Sequence, residues 1–366
     1  MLKKFMVTGF KNFKETICLD FSDVRDYSFN KDCIRDGLLN KIIIYGKNGV
    51  GKSNIGLALF DLTSHLSDKN VSPGLYDYYL NADSEVDFAE FRYVFKVTDD
   101  EIEYRYHKNN EQILRFEEVK LNSEIIFSYD HTKKTGDLEG LKKRIPTLNY
   151  EFLEENFSLL KYVVSNSTSE AVKPLRELVH FVNNMLWYRS LDENRYIGYK
   201  NDSKDYFNFI LAEQTLQQFQ ELLNRAGINE QLVVIADPDG QERLYFQRKK
   251  PIPFFKAASN GTKALYTFFY WLTIATDLSF LFIDEFDAYY HFELSEMIVE
   301  LLDSMTGFQT VLTSHNTNLL TNRIMRPDCY FILTPERLTS LANATRRELR
   351  EGHNLEKLYV NGEFDG

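Results

Sequence analysis

The sequence predicts an α/β protein built on a phosphate-loop (P-loop) nucleotide-binding core, with an antiparallel β lobe and a helical insertion. Three observations carry that prediction. Lys41-Ile-Ile-Ile-Tyr-Gly-Lys-Asn-Gly-Val-Gly-Lys-Ser53 reads as a buried strand entering a G-x-x-x-x-G-K-[ST] loop and then a helix. Ser279-Phe-Leu-Phe-Ile-Asp-Glu285 and Thr310-Val-Leu-Thr-Ser-His315 are two more apolar strands, each closing on polar side chains. Between them, a period-two alternation gives way near residue 150 to a period of 3.6.

The loop explains its own residue types. Gly46 and Gly51 let successive backbone N–H groups curl around phosphates where a Cβ would clash. Asn48, Gly49 and Asn54 are counted with the loop as nucleotide-binding. Lys52 brings a point charge to the phosphates, and the Ser53 hydroxyl is a ligand for Mg²⁺. The helix that follows Gly51 adds the positive end of its dipole. An incidental glycine-rich turn would not need the isoleucine strand before it or the apolar run Ile55–Phe60 after it.

Length and composition set the frame. A chain of 366 residues fills one elaborate domain or two to three modules. A net charge of −11 argues against wholesale coating of nucleic acid but leaves a local basic groove open. Cys18, Cys33 and Cys329 are widely spaced with no C-x-x-C, which points to a reducing compartment and no zinc site. The first residues lack a signal-peptide core and read as a strand. The most membrane-like run, Ala264 to Ile283, is broken by Thr267, Thr273, Thr276 and Asp277, so no membrane span is expected and the location expected is cytoplasmic.

Taken in order, Leu2–Gly9 and Thr16–Phe21 read as strands joined by Phe10-Lys-Asn-Phe-Lys14, and Ser22 to Asn40 as a loop. The helix after Ser53 is expected to end near Leu66, with a surface loop over 67–84. Alternating aromatic and apolar residues from Glu85 to Asp130 form an antiparallel meander. The chain thus divides into 1–150, the first part of the core; 151–228, a compact helical insertion; and 229–366, the rest of the core. In the insertion, Leu175, Leu178, Val179, Val182 and Leu186 make one helical stripe, and Leu216, Phe219, Leu222 and Leu223 a second. Both stripes are core faces, and no heptad runs long enough for a coiled-coil arm. Gln231–Ala236 and Glu242–Phe246 form a hairpin around Pro238-Asp-Gly240. A nuclease reading of Asp239 and Glu242 fails, because Leu244 stands where a lysine is needed.

The second half of a nucleotide site lies downstream. Asp284 is placed to hold Mg²⁺, and Glu285 to orient and deprotonate an attacking water. Ser259-Asn-Gly-Thr-Lys263 opens a helix over Ala264–Thr276, so that Ser259, Gly261 and Lys263 can face a γ-phosphate; alone it would be an ordinary helix cap. His315 ends its strand where it can reach a γ-phosphate and hold Glu285. Lys52, Glu285 and His315 are therefore the candidate catalytic residues. No guanine-reading N-K-x-D follows the loop, which favours ATP.

Gly46–Ser53, Ser259–Lys263, Phe282-Ile-Asp-Glu285 and Ser314-His315 together resemble the ABC-type ATPases of the RecF/SMC/OLD group. Phe10-Lys-Asn-Phe13, Asp284-Glu-Phe-Asp-Ala-Tyr-Tyr-His291 and Asn354-Leu-Glu-Lys-Leu-Tyr-Val-Asn-Gly362 are similar to segments of the OLD-like ATPases of bacterial anti-phage and abortive-infection systems. The resemblance implies an ABC-ATPase head in which ATP and Mg²⁺ are sandwiched between two copies of the chain, in a homodimer or higher oligomer. Ser259 and Gly261 of one copy would complete the other's site, and Asp287 would couple the two sites. The departures are Ala258-Ser-Asn-Gly261 for Leu-Ser-Gly-Gly and Phe292 for a proline. Gln112 is a weak candidate for the glutamine loop.

The resemblance implies a sensor or scaffold ATPase that controls a separate effector, a nuclease or toxin, because the 51 residues after His315 hold no Glu…Asp-x-Asp set. The alternative is a DNA-repair or chromosome-associated ATPase that binds DNA directly; the acidic charge and absent arm count against it. The basic runs Lys142–Arg144, Arg248–Lys250 and Arg346–Arg350 leave contact with nucleic acid open, although each alone reads as solvated surface charge.

Overall fold

A computed structural model of the chain describes residues 1–67, 69–71, 74–150, 157–190, 195–198 and 203–364. The phosphate-loop strand Lys41–Tyr45 lies inside an eight-stranded sheet, with all five residues buried. Three consecutive isoleucines suit that place. Their branched side chains pack on both faces of the pleat, each burial stabilising by roughly 1.5–3 kcal/mol.

The sheet runs in the order Leu338–Ser340, Tyr330–Leu333, Lys41–Tyr45, Gln309–Thr313, Phe280–Asp284, Met185–Arg189, Tyr196–Gly198, Asn70–Val71. From Tyr330–Leu333 to Met185–Arg189 the strands are parallel, so their carboxyl ends share one edge. That edge is where open α/β sheets bind ligands. The helix Lys52–Phe60 rises from it and packs tightly on the sheet at Gly56, where a Cβ would meet the Trp187 indole at 2.6 Å and the Phe282 ring at 2.7 Å.

The second sheet is the antiparallel lobe. Its order is Thr135–Asp137, Glu124–Asp130, Leu114–Leu121, Asp100–Lys108, Ala89–Val97, Leu2–Thr8, Ile17–Asp20. The meander is as the alternation predicts, and the amino-terminal strands join its edge. Aromatic residues fill the space between this sheet and the phosphate-loop helix: Tyr93 donates to the Ala58 carbonyl at 2.8 Å, and Tyr76 to that of Leu57 at 2.9 Å.

Two expectations need correction. The stretch read as helical does contain Leu159–Asn166, Lys173–Asn183 and Glu213–Arg225. It also contains Met185–Arg189, a strand paired in parallel with Phe280–Asp284. Leu186, assigned to a helical stripe, therefore packs from that strand. Four consecutive buried residues, Met-Leu-Trp-Tyr, have no period that separates strand from helix. Residues 151–156, 191–194 and 199–202 of this stretch lie outside the described residues. The helix expected to reach Leu66 stops at Phe60 and resumes as Thr63–Leu66, and at the break Asp61 accepts from Tyr79 and Tyr106.

The stretch read as a loop over Ser22–Asn40 also holds a short ladder, Ile34–Arg35 with Leu38–Leu39, and Tyr76 and Tyr79 of the loop read as surface over 67–84 are buried; other elements fall close to their predicted places. The hairpin is Leu232–Ala236 with Glu242–Phe246, and the carboxylates of its turn are held by Arg243, Asp239 accepting from it at 3.1 Å. The helix expected over Ala264–Thr276 spans Asn260–Ile274. All three cysteines are free thiols. Among the described residues, no helix is long and apolar enough to cross a membrane.

Candidate functional site

The site grows out of strand register. Arg189 pairs with Asp284 across the sheet, and the next strand continues the row with Thr313, which pairs with Ile44 of the phosphate-loop strand. Partners in register point to the same face, so one row presents Arg189, Asp284 and Thr313 side by side. Thr313 Oγ1 donates to Asp284 Oδ1 at 2.8 Å and accepts from the Glu285 amide at 2.7 Å. The hydroxyl thereby fixes both carboxylate residues at once.

Asp284 is fully buried. Burial pushes its carboxyl above the ordinary range; the Ser53 hydroxyl, Arg189 and Thr313 act against that push, while the Glu285 charge adds to it. Its Oδ2 takes no hydrogen bond of good geometry and lies 3.3 Å from Arg189 Nε. A buried carboxylate oxygen left open beside a serine hydroxyl is a fit for a hard divalent cation such as Mg²⁺. Among the described residues, no group of three or more His, Cys, Asp or Glu could hold a metal ion. Asp284 and Ser53 would thus supply two ligands, leaving the others to phosphate oxygens and water.

Glu285 leaves the strand in the left-handed region, with φ +50°, an uncommon conformation for a residue with a side chain. Its Oε1 accepts from Arg189 Nη2 at 3.0 Å.

The loop itself curls over this row. Lys52 Nζ donates to the carbonyls of Gly46 at 2.8 Å and Lys47 at 3.2 Å, and lies 3.4 Å from His315 Nδ1. Burial lowers the Lys52 pKa, while Asp284, Glu285 and Asp287 oppose the shift. The His315 imidazole is pushed below its ordinary value, first by burial and then by Lys52. A neutral ring can accept from the lysine. His315 stands exposed two residues past its strand, beside Lys52, and the hydrogen bond to the Glu285 carboxylate comes from Arg189.

Gly51 caps the phosphate-loop helix at φ +104°, and a Cβ there would press on the Asn12 amide at 2.4 Å. Asn12 is the latch of this loop. Its Nδ2 donates to the Val50 carbonyl at 2.8 Å, and its Oδ1 accepts from Asn54 Nδ2 at 2.6 Å. Asn54 is therefore engaged in holding the loop, while Asn48 and Gly49 form its exposed tip.

The remaining candidates divide. Asp287 is turned inward: burial raises its pKa, and it accepts from Ser314 Oγ at 2.5 Å, tying the turn after Asp284 to the turn before His315. Ser259 caps the helix Asn260–Ile274, accepting from the Thr262 amide at 3.1 Å. Gly261 sits against the Tyr289 carbonyl, and Lys263 follows within the first helical turn. Among the described residues, no hydrogen bond or ion pair joins 259–263 to the loop 46–53 of the same chain. Gln112 lies in the turn between Asp100–Lys108 and Leu114–Leu121, donating to the Asn109 carbonyl, in the lobe and not in the row.

Arg189, Thr313 and Asn12 were not singled out from the sequence. Arg189 carries a usable signal: a lone charge closing an apolar strand, as Asp284 does. The Asn12 contact depends on a turn meeting a loop 38 residues away, which no local pattern encodes.

The family described as "AAA domain, putative AbiEii toxin, Type IV TA system" matches residues 41–321 of the chain. No curated protein is matched by sequence. Among solved structures, the chain is similar to an SmcHead bound to the C-winged helix domain of ScpA, with 15% identity and a TM-score of 0.47 over 93% of this chain and 97% of that one. It is also similar to the SMC head domain from Thermotoga maritima, with 15% identity and a TM-score of 0.44 over 93% and 98%. A third is the Smc head with an extended coiled coil bound to the C-terminal domain of ScpA from Pyrococcus furiosus, with 13% identity and a TM-score of 0.47 over 93% and 96%. Likenesses this remote carry no function to the chain.

Proposed function

The chain belongs to the AAA domain family described as putative AbiEii toxin, Type IV TA system, and from that premise we propose that it binds and hydrolyses ATP. One observation carries the reading: three separate segments bring Lys52, the adjacent Asp284 and Glu285, and His315 to the carboxyl edge of one parallel sheet. Backbone amides of the loop and Lys52 cradle the β- and γ-phosphates. Ser53 and Asp284 would hold Mg²⁺, which when bound neutralises charge on the phosphates. Glu285 takes the proton of a water that attacks the γ-phosphorus while the bond to the ADP oxygen breaks. His315 donates to the transferred phosphoryl group, held in place by its neighbour Lys52.

Ser259 is exposed and Gly261 and Lys263 half-buried at a helix start that, among the described residues, makes no bond to its own loop. In this reading they complete the site of a second copy, so that ATP binding assembles a dimer. Asp287, which ties the turn after Asp284 to the turn before His315 within one chain, would couple the two sites. The architecture is then that of an ABC-type head of the OLD-like kind, acting as the cytoplasmic sensor of an anti-phage or abortive-infection system. A separate nuclease or toxin would be its effector, held or released as ATP drives assembly.

The Glu285→Gln variant tests the chemistry. It should bind ATP, as followed with a fluorescent analogue, while turnover falls by ~10²–10⁴-fold. It should also accumulate as a dimer in light scattering with ATP. Undiminished turnover in the variant, or a wild-type chain that neither hydrolyses ATP nor changes its assembly with it, overturns the reading.

A further inference from the structure

The carboxylates assigned to the metal and to the water both face one guanidinium. Arg189 reaches Asp284 Oδ2 through Nε at 3.3 Å and Glu285 Oε1 through Nη2 at 3.0 Å. Its place is set by register, one strand away from Asp284 in the row that Thr313 closes on the other side. Thr313 takes Oδ1. Oδ2 is therefore the open oxygen of this buried carboxylate, and Arg189 faces it.

We propose that Arg189 is a positioning residue that competes with the divalent cation for Asp284 and keeps Glu285 aligned once the cation has taken its place. The inference rests on the ATPase reading of this site. A divalent cation held at Asp284 would be repelled by the guanidinium 3.3 Å from Oδ2, and the buried carboxylate between them screens that repulsion little. The guanidinium has five donors in a fork, so it can give up Asp284 while keeping Glu285. Glu285 needs such a partner: its left-handed backbone is pinned at one end by Thr313, and its carboxylate is held by Arg189. Arg189 would thus release Asp284 when a metal enters while it keeps the water-activating carboxylate fixed. A lysine cannot do both, because its single ammonium has no fork.

The test separates the two halves of the role. Mn²⁺ binding to the purified full chain with ADP present, followed by electron paramagnetic resonance, needs no turnover. Arg189→Ala and Arg189→Gln should each bind Mn²⁺ more tightly, by ~3–10-fold, because a competing cation is gone. At saturating Mg²⁺ both should hydrolyse ATP ~10–100-fold more slowly with little change in KM, since Glu285 loses its anchor. Arg189→Lys should keep the wild-type Mn²⁺ affinity and share the slow turnover. Unchanged or weaker Mn²⁺ binding in Arg189→Gln, with its thermal melt preserved, overturns the competition. Lysine rescue of turnover overturns the forked role. If the wild-type chain binds Mn²⁺ with ADP but hydrolyses nothing, the ATPase reading fails while the metal titration still decides the competition.

Discussion

Two clusters of buried charge lie at opposite ends of the phosphate-loop helix, and they are built on opposite principles. At its far end Asp61 accepts from Tyr79 and Tyr106 at 2.8 Å each and from Lys108 at 2.7 Å. Lys108 also donates to Ser64 at 2.7 Å, and both charged side chains are 1% exposed. Deeper in the lobe, Glu117 accepts from Tyr104, Ser158, His131 and the Leu159 amide. At the near end, Asp284 is as deeply buried but has one oxygen without a hydrogen bond, and its neighbour Glu285 is held in a left-handed backbone. Saturated clusters fix architecture, because every carboxylate oxygen already has a donor. A buried carboxylate left open beside a strained residue is where a ligand can supply what the fold withholds.

The sharpest way to break this contrast is to remove one carboxylate from each end. Asp61→Ala leaves Lys108 buried without its counter-ion and should cost about 3–5 kcal/mol of stability in urea unfolding. Asp61→Leu combined with Lys108→Met should recover much of that loss, since the pair is then replaced by apolar volume. At the near end, Asp284→Ala should change stability by no more than ~1 kcal/mol, because burial already disfavours the charge. It should nonetheless lower Mg²⁺-dependent ATP hydrolysis by ~10²-fold or more. Equal stability losses at the two ends would erase the distinction.

Asn12 sits at the joint between the two regions, since its turn belongs to the lobe and its amide holds the phosphate loop. Asn12→Ala removes two hydrogen bonds, each contributing about 1 kcal/mol. ATP affinity by isothermal titration should fall ~3–10-fold, with kcat within twofold of wild type if the latch only organises the loop. A large fall in kcat at unchanged affinity would instead place Asn12 in the chemistry.

How much of this was legible in the sequence follows from the range of each signal. The phosphate loop, the meander and the two strands ending at Asp284 and His315 are local patterns, and they stand where those patterns place them. Met185–Arg189 was hidden because a strand buried on both faces shows no alternation, and the helical period of Lys173–Asn183 runs straight into it. Arg189 went unseen with it. Its role depends on lying beside Asp284 across a sheet, and register between strands 95 residues apart is a property of the fold alone. Asp61 likewise looks like one more polar residue in a helix, until the lobe closes over it.

The amino end of the phosphate-loop strand offers the finest test of the contrast, because it holds a third buried charge. Lys41 opens the strand and donates to the Met305 carbonyl at 3.0 Å and to Thr310 Oγ1 at 3.2 Å, and burial lowers its pKa to about 8. Asp303 nearby is pushed up to about 6 from 3.8, chiefly by burial, with Lys41 opposing the shift and Asp32 adding to it. A folded-state pKa above the unfolded one means that the native chain binds the extra proton. The associated stability is complete below pH 3.8 and is lost as pH rises through about 6. Asp303→Asn has no such loss. It should match the wild type below pH 4 and exceed it by about 1 kcal/mol above pH 7, allowing for solvent screening of a partly exposed group. Melting curves across that range measure the difference. An Asp303→Asn variant less stable than wild type at pH 8 would mean that the ionised carboxylate is as well satisfied as Asp61, and that under-satisfied charge in this fold is confined to the ligand edge.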